Sequence, residues 1–248
     1  MSSLNFRYCI RSDLPSHPEG PASIGAKFVN TLDALNRIDP IVFSNWQVMD
    51  FPAIESLPLA TARPRIAAII DNNVSRDDFG KPEPDDGYSA GASTGDTLGP
   101  RRMSLRISAG GTDAGETDLK AGEYNMFPDP AVVTYPVFKG ALLAINAIWP
   151  PVWACAYALR MDYDKVPLIP GAALFPYSRF HIPWLAYLSA PLAAGLEPPP
   201  EIKTERTPDG GLLMSATEER LDPTDPEHLR RARILAQTMV ARACHPSS

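Results

Sequence analysis

Cysteine and histidine are scarce in this 248-residue chain, with three and four copies, and their spacing excludes more than their number does. Cys9, Cys155 and Cys244 lie far apart, with no CxxC pair, so neither a zinc site nor a disulfide framework is expected and a reducing compartment fits. His17, His181, His228 and His245 form no HxxxH or HExxH pair, which removes the ligand set of a zinc hydrolase. No G-x-S-x-G elbow is present. The run from Asp71 to Asp77 has the outline of a calcium loop, but Arg76 stands where glycine is required and Pro82 where the bidentate Glu belongs. Gly87, Gly91 and Gly95 recur without a leading apolar strand or a following lysine, so no phosphate cradle is read there. No catalytic residue set, metal or cofactor is therefore expected.

Long apolar runs are also wanting. The opening MSSLNFRYCIRSDLP lacks the apolar core of a signal peptide, and a cytoplasmic setting is expected. Gly140 to Leu159 is apolar for a membrane's width, but Asn146 and the Pro150-Pro151 pair would break a spanning helix in its middle. Ile182 to Leu196 is too short. Both read as core, and no membrane partner is expected.

What the chain does have is proline: 27 residues, spread along its length, about twice the usual ~5%. Elements are broken often and loops are many. Leu4 to Ile10 alternates as a half-buried strand, and Ser23 to Ile38 places Ile24, Phe28, Leu32, Leu35 and Ile38 on one helical face before Asp39-Pro40. Phe43 to Met49 reads as a strand, and Arg102 to Ser108 as another. Ile66 to Ile70 fits strand or helix. Tyr124 to Phe127 and Val132 to Tyr135 are short strand or loop candidates, Lys139 to Ile148 a helix and Val152 to Met161 an aromatic-rich strand. Ile202 to Arg206, the turn Thr207-Pro-Asp-Gly-Gly211 and Leu212 to Thr217 form a β-hairpin. A helix then runs to about Ala243 with Leu229, Ala232, Ala236 and Met239 or Val240 inward. Its start fits Thr224 with Glu227, or Asp225 capping Pro226. Strands and helices mix without a regular alternation, which predicts a single α+β domain over residues 1–248, with a mixed, mainly antiparallel sheet, packed helices and long Pro/Gly-rich loops.

One segment holds the charge asymmetry. Asp71 to Pro100 carries seven acids against two bases, a balance of −5 in a chain of −6. Rich in Gly, Pro and Ser, it reads as a long surface loop. Such a loop either solubilises or offers an electronegative surface to a basic partner, repelling nucleic acid as a by-product. Candidate partner-binding residues are Asp77, Asp78, Glu83, Asp85 and Asp86, with Phe79 and Tyr88 as aromatic anchors.

The segments RFHIPWLAYLSAPLAAGL, TERTPDGGLLMSATEERLDP and PEHLRRAR, with the DDFGKPEPDDGYS loop and RRMSLRISAGG strand, resemble the immunity protein 52 family of bacterial polymorphic toxin systems over roughly residues 65–243. The resemblance implies a cytosolic antidote, with no activity of its own, to a toxin released through machinery such as type VI secretion. That toxin often has a restriction-endonuclease-like nuclease domain, and the antidote would cover its active site or an exosite. The oligomeric state stays open, a homodimer included. Two other readings compete: a small hydrolase built on His181 and a loop acid, although His181 beside Trp184 and Tyr187 reads first as a structural histidine, and a structural or adaptor component of a secretion system.

Overall fold

The N-terminal alternation forms β1 (Phe6–Leu14), and this first strand lies in the middle of the sheet. The computed structural model describes residues 6–51, 53, 55–95, 99–122, 128–160 and 181–243. On one side of β1 stand β2 (Trp46–Asp50), β3 (Glu55–Pro58), β4 (Tyr88–Thr94), β5 (Met103–Ala109) and β6 (Gly115–Ala121). On the other stand β7 (Trp153–Arg160), β8 (His181–Leu188), β9 (Lys203–Arg206) and β10 (Leu212–Ser215). The order is β3-β2-β4-β5-β6-β1-β7-β8-β10-β9, and every described pairing is antiparallel. The class is α+β, as expected.

Pleat alternation decides what each face does. Tyr8, Ile10 and Ser12 of β1 share a face with Leu119 and Thr117 of β6 and with Leu105 and Ile107 of β5. Onto this face pack α1 (Pro21–Ile38), the short α2 (Leu59–Ala62), α3 (Ile66–Asn72) and α4 (Tyr135–Ile148). Phe138 of α4 lies 5.3 Å from Trp184 of β8, and Tyr8 meets both rings edge-on. The opposite face of β4 to β6 carries Ser89, Ser93, Ser104, Arg106, Glu116 and Lys120, the polar outer side usual in antiparallel sheets. β8 differs, since all eight of its residues are buried. The four-residue α5 (Ala190–Ala193) follows it, and α6 (Pro226–Ala243) runs against it, burying Ala232, Leu235, Ala236 and Met239.

Several expectations change in detail. α1 begins at Pro21 rather than Ser23, because proline suits the first helical turn, where its missing N–H costs nothing. Ile66 to Ile70 resolves as the helix α3. α4 starts at Tyr135, a turn before Lys139, leaving Val132 to Thr134 as loop, again with proline in the first turn. Tyr124 to Phe127 and Cys244 lie outside the described residues. The expected hairpin is β9 and β10, and Gly210 takes a φ of 82° in its turn. Asp225 settles the start of α6: its Oδ1 accepts from the backbone N–H of Glu227 at 2.7 Å and of His228 at 3.0 Å.

The acidic segment needs the largest correction. It is not one loop from 71 to 100. Asp71 closes α3, and Tyr88 to Thr94 is the strand β4, paired to β2 and β5 near the middle of the β2-to-β6 half. The glycines explain why it was hard to see: Gly87 and Gly95, at φ 85° and 73°, bracket a strand of small residues.

Candidate functional site

What remains of the acidic loop is an ordered finger between Asn73 and Gly87. Its two sides pair through isolated bridges, Val74 to Tyr88 and Arg76 to Pro82, and through Glu83 N–H to the Ser75 carbonyl at 2.8 Å. Asp77 organises the tip. Its Oδ1 accepts from the N–H groups of Phe79 at 2.9 Å and Lys81 at 2.8 Å, while the Gly80 N–H reaches the Asp77 carbonyl. This turn thrusts Phe79 outward, 96% exposed. A large aromatic held in water by an ordered turn is the uncommon feature here, since isolated exposed apolar residues mean little but a displayed one suits a protein contact.

The finger's carboxylates crowd one another. A hydrogen bond to Asp86, and the charges of Asp86 and Asp77, raise Glu83 above the ordinary carboxylate value. Asp78, Asp85 and Asp86 are exposed. Arg76 donates to the Gly80 carbonyl at 2.9 Å, so one of the finger's two bases serves its own turn. Of the other acids of the segment, Asp71 belongs to α3 and Asp96 lies outside the described residues.

The foot of the finger is stitched to the β5–β6 turn. Thr112 donates its backbone N–H to the Asp85 carbonyl at 2.7 Å. Gly87 lies so close to this turn that a Cβ there would sit 2.6 Å from the Ala109 carbonyl oxygen. Ser16 in turn donates to the Thr112 carbonyl at 2.5 Å, and the Glu19 N–H to the Gly110 carbonyl at 3.2 Å.

Of the seven candidate interface residues, the structure brings Asp77, Asp78, Phe79, Glu83, Asp85 and Asp86 onto this one projection. Tyr88 is separated from them. It sits in β4 on the helix-covered face, half-buried against the core and close to Gly110, because strand alternation turns it inward.

His181 opens β8, 9% exposed, its ring 4.3 Å from that of Tyr157. Burial, with the Arg11 charge beside it, pushes it down to about 4, so its imidazole is neutral near pH 7. The finger's acids cannot orient it. Strands β5, β6, β1 and β7 intervene between β4 and β8, about five steps of ~4.8 Å, or roughly 24 Å. Nearer groups are equally tied to burial: Cys9, a free thiol with Cys155, is pushed up to about 12 by burial, and burial also raises Asp118.

A cavity of about 300 Å3 opens between the N-terminus of α1, the end of β1 and the end of α4, with Leu14, Pro15, Trp149 and Pro150 among its walls. Sequence reasoning missed it, because its walls come from four separated stretches of chain. Among the described residues no helix is long and apolar enough to cross a membrane.

Residues 122–244 match the family model described as immunity protein 52. Over that segment, just under half of its length, the chain is similar to the immunity protein 52 family. The match takes in α4, β7, β8, the β9–β10 hairpin and all of α6. The finger precedes it, so the six candidate residues lie outside the family's matched segment. Among solved structures, the Pseudomonas aeruginosa T6SS protein PA0821 has a similar fold, with a TM-score of 0.52 and 14% identity over 96% of this chain and 72% of that one. No curated protein matches the chain.

Proposed function

We propose that this chain is an antidote: it binds a cognate secreted toxin inside the producing cell, holds it inactive, and docks through its acidic finger. The family supports the immunity role. Its fold is also that of a T6SS protein, which agrees with a toxin-secretion setting. The observation that carries the docking mode is Phe79, 96% exposed at the tip of a finger bearing Asp77, Asp78, Glu83, Asp85 and Asp86.

A toxin that cuts nucleic acid must present basic groups to the phosphate backbone. The finger offers carboxylates to those same groups, and Phe79 supplies the desolvated centre that charges alone do not give. A restriction-endonuclease-like nuclease is therefore the partner this surface suits, covered at its cleft or at an adjoining exosite. The protein itself turns nothing over and binds no nucleic acid.

The test is co-expression with the toxin encoded by the neighbouring reading frame. Cells carrying both should grow, and the pair should co-purify. Growth arrest despite full expression of this chain would overturn the immunity role. Rescue undiminished by Phe79→Ser would overturn the finger as its docking element.

A further inference from the structure

We propose that the cavity at the foot of the finger is a second anchor point of the docking surface, and that it receives an arginine side chain of the partner. This rests on the docking mode argued above and adds to it a specific guest. The cavity, about 300 Å3, is at the lower end for small-molecule sites and suits one long side chain better than a cofactor.

Its chemistry is that of an arginine. Leu14, Pro15, Pro150 and the Trp149 ring give apolar walls for a methylene stem. The charged groups inside are already matched: Lys27 Nζ lies 2.5 Å from Glu19 Oε1 and 5.2 Å over the Trp149 ring. Asp113, which also lines the cavity, is exposed and has no hydrogen-bond or ion partner among the described residues. A guanidinium there pairs with Asp113 in the two-pronged geometry a carboxylate accepts, while its stem fills the cavity. A purely apolar guest would instead strip water from Asp113 and return nothing to it.

Position supports the same guest. Asp113 belongs to the β5–β6 turn whose Thr112 N–H holds the Asp85 carbonyl. The finger's foot and the cavity mouth are therefore opposite sides of one short turn, and a basic surface drawn to Asp85 and Asp86 arrives beside Asp113. An acidic guest would meet all three carboxylates on approach.

The direct probe is Nα-acetyl-arginine amide, followed at the Trp149 indole 1H–15N resonance, which Trp149→Phe identifies. Saturable movement of that resonance is expected, about fivefold weaker in Asp113→Asn, roughly the worth of one charge-assisted pair. The finger variant with Asp78, Glu83, Asp85 and Asp86 changed to lysine should weaken this resonance's response at low salt and regain most of it as added salt screens the finger's field, because the finger acts on the guest only at long range. No movement with the arginine derivative, or equal movement with Nα-acetyl-leucine amide, overturns the inference. With the cognate toxin, Asp113→Asn should speed dissociation about fivefold and leave association nearly unchanged. If Asp113→Asn dissociates like the unaltered chain while the finger variant loses the toxin, the cavity is not an anchor but the finger reading stands. If the finger variant binds unchanged, it is the docking mode itself that fails.

Discussion

At the scale of single residues, the fold is held where polar groups have one partner each and no alternative. Thr31 is the clearest example. Fully buried on α1, it donates its hydroxyl to the Lys27 carbonyl at 2.8 Å and accepts from the Trp149 indole N–H at 2.9 Å, fixing α4's end against α1. Thr31→Val keeps the shape but leaves that indole N–H dry and unpaired, which costs about 1–3 kcal/mol. A denaturant midpoint equal to that of the unaltered chain would show that the bond is not what joins the two helices. Gly210 makes a backbone demand instead. Its φ of 82° is in the left-handed region, and a Cβ there would stand 3.3 Å from the Ala190 Cβ. Gly210→Val should therefore lower stability by a kcal/mol or more, and an unaltered melting temperature would contradict the turn.

At the scale of elements, the same residues explain what could be read in advance. α1, β1, β5, the β9–β10 hairpin and α6 were legible because each carries its own period: Ile24, Phe28, Leu32 and Leu35 on one helical face, Met103, Leu105 and Ile107 on one strand face. β4 was not. Its Tyr-Ser-Ala-Gly-Ala-Ser-Thr sequence has almost no strand-favouring bulk, and it is a strand because Ala90 and Ala92 fit under the helices while Gly91 leaves room for Phe51 above it, whose ring would be 2.9 Å from a Cβ. The acidity of the finger was likewise plain, but its shape depends on which N–H groups the Asp77 carboxylate accepts, and no periodicity records that. α6 shows how local charge acts on an element. Glu227 in its first turn bonds Arg230 at 2.7 Å and Arg231 at 2.8 Å, and these bonds lower it from the ordinary 4.5 to about 2. Because the folded value is the depressed one, this contribution is complete above pH 4.5 and is lost as pH falls towards 2. The melting temperature of Glu227→Gln should lie below that of the unaltered chain at pH 6, and the gap should close on acidification through that window. A gap that stayed constant down to pH 2 would mean the two arginines do not hold Glu227 in the folded protein. The group is exposed, so added salt should narrow the gap as well.

At the scale of the whole molecule, β1 joins two unlike halves. One half, β7, β8, β10 and β9 with α4 and α6, contains the family's matched segment and is buried on both sides at β8. The other, β2 to β6, leaves a polar sheet face open and carries the finger at the start of β4. Conserving the fold and varying the contact then become separable tasks, because the finger's charges lie outside the apolar core while its foot is locked by Gly87 and Thr112. That separation makes the functional bet a clean experiment. Changing Asp78, Glu83, Asp85 and Asp86 to lysine alters the net charge by about eight units without touching a buried side chain or the Asp77 carboxylate that organises the tip, so the melting curve should hold. Against a basic toxin, however, long-range attraction becomes repulsion, and the association rate should fall by an order of magnitude or more, with its salt dependence flattened or reversed. Stopped-flow association across a range of ionic strength measures both at once. An association rate and salt slope equal to those of the unaltered chain would reduce the finger to a solubilising surface, and the contact would then be sought on the segment matched to immunity protein 52, where the β9 edge and the exposed face of α6 offer Lys203, Arg206 and Arg233 beside Glu205 and Glu227.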